Sequence, residues 1–463
     1  MFTRLRIKNF KAWGDQLWQE GVALAPVTMF LGTNSAGKTS LLQPLLLLRQ
    51  TFLSTDRTLD LYLGGKKGDL LDLGTYHQVV HDHHVRTELG IGLHIADVRR
   101  NHLVVPPDDE QDTDLHTESQ QMLNTVEARG TLEYEVTYGH ATDALHLRHL
   151  KLEHEGLTVV ARRGSKGAYK LSASGASASD DRAPANPKRE YKPEKSALLP
   201  EPARQALNSY RLGTDDLSLA VTRAVERIQY LGPLRERPQS TYLWGGQEPG
   251  EIGSRGEDAV PALLANLNAA KKSERGTLVA AVSRWLREMG VADALTVEQI
   301  GTSRFYEVML TTGNTSANLV HVGFGVSQVL PMIVLALTAK EGTTIIAEQP
   351  EIHLHPRAQT VLANLLVETA KQRKLQFLIE THSEHLFRRL QFLVADEQLT
   401  KKDCRLYFVN RTESGEPALE HLALDDYGRV SNWPDDFFGD AIGEVERQMD
   451  RMMARRRKER ASE

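Results

Sequence analysis

One string constrains this chain more than any other: Gly32-Thr33-Asn34-Ser35-Ala36-Gly37-Lys38-Thr39-Ser40. It has the form G-x-x-x-x-G-K-[ST]. The apolar run Val27-Thr28-Met29-Phe30-Leu31 precedes it, and a strongly apolar segment follows it to about Phe52, so it reads as a buried strand, a loop and a helix. Gly32 and Gly37 open turns closed to other residues, which lets successive N–H groups point inward around an anion. The helix start adds partial positive charge where phosphates would sit. Lys38 is placed to reach β- and γ-phosphates, and the Thr39 hydroxyl is a Mg²⁺ ligand of choice. All residues from Gly32 to Ser40 are therefore candidates for holding ATP. Pro44 is expected to kink the helix that follows.

The bulk numbers exclude more than they assert. The 463 residues are enough for one large composite domain with insertions, and 40% apolar with 25% charged residues is ordinary for a globular protein. A net charge of -5 gives no whole-chain reason to bind nucleic acid, so any such contact needs a local basic patch. The single cysteine, Cys404, allows no internal disulfide and no Cys-x-x-Cys zinc site, which fits a reducing cytosol. No apolar run is long enough to span a bilayer, and MFTRLRIKNFKAWG lacks a signal-peptide core. A cytoplasmic protein with no membrane partner is expected.

Between about 85 and 162 the pattern has period two. Leu132, Tyr134, Val136 and Tyr138 alternate with polar residues, and a phase change near Arg148-His149 predicts a bulge. The acidic stretch Pro106 to Glu118 reads as an exposed loop. Residues 172–205, rich in Ser, Ala, Pro and charge, read as a disordered excursion. Helices are expected around 258–289, and strands at 295–300, 304–311 and 318–322. Helix and buried strand then alternate through 327–340, 343–347, 356–373, 375–380, 383–394 and 404–410, the mark of an α/β fold with a mostly parallel sheet. A C-terminal amphipathic helix carrying Ile442, Val445, Met449 and Met452 ends in the basic run Arg455-Arg456-Arg457-Lys458, best read as a solvated helix end.

A phosphate loop of this kind needs an acid at the end of a second buried strand to hold Mg²⁺. Thr343-Thr344-Ile345-Ile346-Ala347-Glu348 supplies it, with Glu348 as the metal-holding acid, though more than half of the chain separates it from Lys38. Here a family resemblance enters. Glu348-Gln349-Pro350-Glu351-Ile352-His353-Leu354-His355-Pro356 resembles the Walker B and D-loop block of ABC-type ATPases of the SMC, RecF and OLD-related class. Glu380-Thr381-His382-Ser383 is similar to their histidine switch loop, and Gly323-Phe324-Gly325-Val326-Ser327-Gln328 to their signature motif. Leu5-x-Ile7-x-Asn9-Phe10-Lys11 matches their N-terminal pattern. The Tyr230 to Arg235 stretch and Trp433-Pro434…Phe437-Phe438 look like those of bacterial stand-alone ATPases found beside effector genes.

The resemblance implies an ABC/SMC-type head with an antiparallel β lobe and a β-rich insertion. The expected layout is an N-terminal lobe over 1–90, the insertion over 91–215, the signature and switch half over 216–425, and a C-terminal module over 426–463. It also implies that ATP is sandwiched between the phosphate loop of one copy and Gly325, Ser327 and Gln328 of another, with His382 as the switch. Two departures stand out. The signature reads Gly-Val-Ser-Gln where the family has Ser-Gly-Gly-Gln, and the Walker B end reads Glu348-Gln349 where the family has Asp-Glu. A glutamine cannot take a proton from water, and general-base help is worth about 10² to 10⁴ in rate. Gln349 is left to orient the water, as in Ras-type GTPases with turnover of roughly 10⁻⁴ to 10⁻³ per second; Glu351 is the alternative carboxylate. Slow basal hydrolysis is expected.

The functional expectation is a Mg-ATP ATPase that forms a homodimer or higher oligomer and gates a separate effector, a nuclease or toxin, in prokaryotic antiphage defence or DNA surveillance. Its rivals are an ATP-bound scaffold without useful hydrolysis and a RecF-like repair ATPase that binds DNA through basic clusters. An ABC transporter subunit ranks below both. His77, His81, His83 and His84 read as a solvated cluster, and Arg235 and Arg237 as phosphate or partner contacts or as surface ion pairs.

Overall fold

The computed structural model describes residues 1–56, 59–66, 68–96, 130–139, 144–154, 156–175, 186–195, 197–207, 211–434, 449 and 451–453, with the side chains of 211–213 excepted. The first sheet is antiparallel, in the order β2-β1-β4-β5-β6-β7-β8. Its strands are β1 (Phe2–Lys8), β2 (Val22–Ala23), β4 (Leu89–Ile95), β5 (Gly130–Gly139), β6 (Ala144–His154), β7 (Leu157–Arg163) and β8 (Tyr169–Ser174). The period-two segment lies in β5, and the bulge falls where expected. Glu135 pairs with His149 and Val136 with Leu147, which leaves Arg148 as the extra residue.

Runs without a charge inside them can be buried on both faces only within a parallel sheet covered by helices. Such runs form the middle of the second sheet, ordered β17-β16-β3-β15-β14-β9. Its members are β3 (Val27–Gly32), β9 (Ile228–Leu231), β14 (Thr344–Glu348), β15 (Gln376–Glu380), β16 (Cys404–Arg411) and the antiparallel edge strand β17 (Pro417–His421). Every pair among β16, β3, β15, β14 and β9 is parallel. A third, small antiparallel sheet joins β10 (Tyr242–Leu243), β12 (Phe305–Thr312), β11 (Ala294–Gln299) and β13 (Thr315–Asn318). The strand expected at 318–322 lies earlier, at Thr315–Asn318, and Asn318 caps a 3-10 turn over Leu319–His321 in the expected span.

The parallel sheet divides two cores by strand alternation. Met29, Ile345, Ala347, Phe377 and Ile379 face a core built with α5 (Ala259–Leu267), α6 (Thr277–Glu288), α7 (Phe324–Thr338), α8 (Pro356–Gln372) and α9 (Glu384–Ala395). Phe30, Ile346 and Leu378 face the other. That core holds α1 (Lys38–Leu53), the short α2 (Tyr76–Val79), α3 (Glu201–Ala206), α4 (Arg211–Glu226) and the antiparallel sheet. α1 runs unbroken through Pro44. No helix among the described residues is long and apolar enough to cross a membrane.

Two expectations change. The boundary at 90 falls inside β4, and the strands from 130 to 174 extend the same sheet as β1, so the insertion is continuous with the N-terminal lobe. The described parts of 172–205 are folded rather than disordered: β8 runs to Ser174, α3 starts at Glu201, and Tyr191, Ala197, Leu199 and Ala203 are buried in the second core. A few well-spaced apolar anchors outweigh a polar composition once a sheet face is there to receive them. Pro106 to Glu118, Asp435 to Phe438, Ile442, Val445 and Arg455 to Lys458 lie outside the described residues. Trp433 is described and packs edge-on against Phe387 at 5.5 Å, under Arg388.

Because Tyr191 is 4% exposed, Tyr191→Ala should cost about 3 kcal/mol in urea unfolding. A loss below about 0.5 kcal/mol, the size of an ordinary surface change, would place this segment outside the core.

Candidate functional site

Parallel strands bring their carboxyl ends to one edge, where α/β sheets carry their ligands. Gly32 ends β3 there, with φ 140°, and a Cβ on it would lie 1.9 Å from the Val409 carbonyl oxygen of β16. Glycine is therefore required by the neighbouring strand as well as by the turn. Ser35 and Gly37 are also left-handed, at φ 58° and 105°. The loop is pinned from both sides. The Trp13 indole donates to the Gly37 carbonyl at 3.1 Å, and Arg411, at the end of β16, donates to the Ser35 carbonyl at 2.8 Å. Lys38 starts α1 and is 4% exposed. Its ammonium donates to the carbonyls of Gly32 (3.1 Å) and Thr33 (2.7 Å), so the loop itself holds the cation in place. Burial lowers its pKa, opposed by the charge of Glu380.

Two carboxylates close the other wall. Glu348 ends β14, Glu380 ends β15, and the two are paired in register. The Thr39 hydroxyl donates to Glu380 at 2.7 Å, whereas Glu348, the acid expected to hold Mg²⁺ with Thr39, accepts the Tyr230 phenol at 2.8 Å. Burial raises the pKa of both acids, and the charge of Glu380 raises that of Glu348 further. Lys11, half-buried and left-handed at φ 52°, feels the Glu348 charge; its carbonyl is held by His81 Nδ1 at 2.8 Å. Hydroxyl and carboxylate oxygens are the hard donors that Mg²⁺ takes together with substrate phosphates, so Thr39, Glu348 and Glu380 fit that ion.

Behind Glu348 the loop folds tightly. Gln349 sits at φ 45° and its N–H donates to the Glu380 carbonyl at 2.7 Å, tying the two strand ends together. Glu351 points inward, 7% exposed. One oxygen accepts the Thr381 hydroxyl at 2.5 Å and the His382 N–H at 3.1 Å. Its other oxygen has no hydrogen-bond partner. His382 is exposed at one side, and the partial burial of its ring, together with the charge of Lys38, lowers its pKa. Arg235 is not a surface ion pair. It is 6% exposed, its guanidinium donates to the Glu348 carbonyl at 3.4 Å, and burial pushes its pKa down to about 10.

The signature residues lie elsewhere. Gly325, Ser327 and Gln328 are in the first turn of α7, in the core opposite α1. Ser327 lines a cleft of about 230 Å³ with Arg237, Gln239, Tyr242 and Glu257, and no residue of the phosphate loop lines it. Its hydroxyl donates back to the Phe324 carbonyl at 2.8 Å. A Cβ on Gly325 would lie 2.9 Å from the His353 carbonyl, so the helix start rests on the loop after Glu351. Lys38, Thr39, Glu348, Gln349, Glu351 and His382 thus gather at one edge, while the signature residues open α7, with Gly325 against the His353 carbonyl of the loop after Glu351.

Sequence reasoning missed Glu380, Tyr230 and Lys11 as members of this site. For Glu380 the signal was present, an acid ending an apolar strand just as Glu348 does. Tyr230 carries no local signal, since its partner is distant in sequence.

Residues 262–387 match the AAA ATPase domain family, and residues 399–448 match a family described as Protein of unknown function (DUF3696). The first match spans Ser327, Glu348, Gln349, Glu351 and His382. No curated protein matches the chain. Among solved structures the chain is similar to the SMC head domain from Thermotoga maritima, at 12% identity over 91% of this chain and 99% of that one, with a TM-score of 0.37. It is similar to an Smc head bound to the C-winged helix domain of ScpA, at 11% identity over 92% and 98%, TM-score 0.42. A third is the Smc head with an extended coiled coil bound to the C-terminal domain of ScpA derived from Pyrococcus furiosus, at 10% identity over 91% and 96%, TM-score 0.39. The AAA ATPase match and the phosphate loop fall on the same sheet of an α/β fold, and both support an ATP-binding P-loop ATPase.

Tyr230→Phe leaves the buried Glu348 oxygen without its donor. It should cost about 1 to 3 kcal/mol of stability in denaturant titration; no change would mean that the phenol contributes nothing there.

Proposed function

We propose that the chain is a Mg-ATP ATPase that pairs with a second copy around nucleotide, turns over slowly and gates a separate effector protein. The observation that carries this reading is the convergence of Lys38, Thr39, Glu348 and His382 at the carboxyl edge of one parallel sheet.

On binding, Lys38 exchanges the Gly32 and Thr33 carbonyls for triphosphate oxygens, and the loop N–H groups complete the cradle. Thr39 and the adjoining carboxylates would hold Mg²⁺, which would supply neutralising charge to the triphosphate. Gln349 orients the attacking water and takes no proton from it, which keeps turnover low. Glu351 acts as a brace, since its bonded oxygen is committed to Thr381 and His382. His382, with a lowered pKa beside Lys38, is neutral at pH 7 and reports the γ-phosphate to that brace.

The second copy is supported by the separation within one chain. The first turn of α7 belongs to the other core from the phosphate loop and lines a separate cleft, which suits it to meet nucleotide held by a second copy. Its surroundings suit one: Phe324 is 56% exposed, Leu243 56% and Phe305 46%. Ser327 is satisfied inside its helix, so the first-turn N–H groups make the contact. The effector and the antiphage or DNA-surveillance setting rest on the sequence resemblance.

Lys38→Ala should weaken ATP binding at least about 10-fold by calorimetry, the usual scale for losing one charge-assisted phosphate contact. Mixing inactive Lys38→Ala with inactive Ser327→Arg should restore part of the turnover if sites are shared between copies; no restoration would refute pairing. Gln349→Glu should speed hydrolysis by about 10-fold or more, and native turnover above about ten per second would overturn the slow-hydrolysis reading. Turnover in Gln349→Glu with none in the native chain would favour the scaffold reading.

A further inference from the structure

We propose that Glu380 is the acid that anchors the divalent cation of the phosphate site, a role that motif order assigns to Glu348; the proposal rests on the nucleotide reading above. Strand order and the Thr39 hydrogen bond together favour Glu380. β15 lies between β3 and β14, so Glu380 stands one strand from the phosphate loop and Glu348 stands two. With strands about 4.8 Å apart, these offsets are about 5 Å and about 10 Å. The hydroxyls follow the same division. Thr39, next to Lys38, donates to Glu380 at 2.7 Å, and Glu348 is taken by Tyr230 on the far side at 2.8 Å.

A structural bond to Thr39 would not need a charge at position 380. A glutamine there would accept the same hydroxyl, without setting a second buried carboxylate beside Glu348. In the ligand-free chain the negative charge of Glu380 is offset by Lys38. Triphosphate draws that lysine onto its own oxygens, and Glu380 then requires a new counter-charge where Thr39 already holds a hydroxyl oxygen. A hard divalent cation carried in by the nucleotide meets that need. The site keeps two strand-end carboxylates, one on β14 and one on β15.

The test uses the full chain with a non-hydrolysable ATP analogue and Mn²⁺ in place of Mg²⁺. Free Mn²⁺ is read by electron paramagnetic resonance, and analogue affinity is measured separately in EDTA. Glu380→Gln should weaken Mn²⁺ by about 10- to 100-fold, with analogue affinity in EDTA within about 2-fold of native. That outcome supports the proposal when Glu348→Gln loses less Mn²⁺ affinity than Glu380→Gln; an equal or larger loss in Glu348→Gln overturns it. Native Mn²⁺ affinity in Glu380→Gln, with the loss confined to Glu348→Gln, overturns it. Glu380→Gln should also melt at or above the native temperature without nucleotide, because it removes a like-charge contact; a collapsed Tm would mark a purely structural residue and overturn it too. If the native chain binds no analogue at all, the nucleotide reading fails instead, which is a separate result.

Discussion

The in-register parallel pairing of β3, β15 and β14 is the constraint on which the rest depends. It brings the phosphate loop and two acids, far apart in sequence, to one edge of one sheet. The pairing is enforced by burial on both faces, since a slip of one residue would move Ile345, Ala347, Phe377 and Ile379 into the wrong core. The chemistry of the edge is a by-product of a register set by hydrophobic packing.

That edge is costly in the absence of ligand. Glu348, Glu380 and Glu351 are each pushed toward the neutral form by burial, and Lys38 is pushed away from its charged form. The chain offsets this with local donors: Tyr230 for Glu348, Thr39 for Glu380, Thr381 and the His382 N–H for Glu351. Each donor comes from a different segment. The strain stored at the site is therefore spread over β9, α1 and the loop after β15, and a ligand that relieves it acts on all three at once.

The division into two cores gives the site its two sides. α1 and the phosphate loop belong to the core shared with the antiparallel sheet, whereas α7 and the signature turn belong to the core of α8 and α9. Glu348 and the loop to His353 connect them, for Gly325 packs on the His353 carbonyl while Glu351 braces His382. Arg235 leaves the Glu348 carbonyl along a segment that becomes the wall of the Ser327 cleft. A shift in the Walker B loop thus has physical contact with both sides.

Much of the fold was readable along the chain. The phosphate loop is a local string whose glycines and lysine act within a few residues of one another. The buried strands announced themselves as uncharged runs, and Arg148 as a break in a period of two. The described parts of 172–205 were misread because composition reports average polarity, whereas Tyr191 and Leu199 needed only a waiting surface. The bond from Thr39 to Glu380 and the phenol on Glu348 had no local signature at all. Sequence by itself determined the loop that reads as a triphosphate cradle, because that loop is built from consecutive backbone. Tertiary structure alone decided which acid bonds Thr39, because that depends on strand order, and strand order is settled by packing between segments distant along the chain.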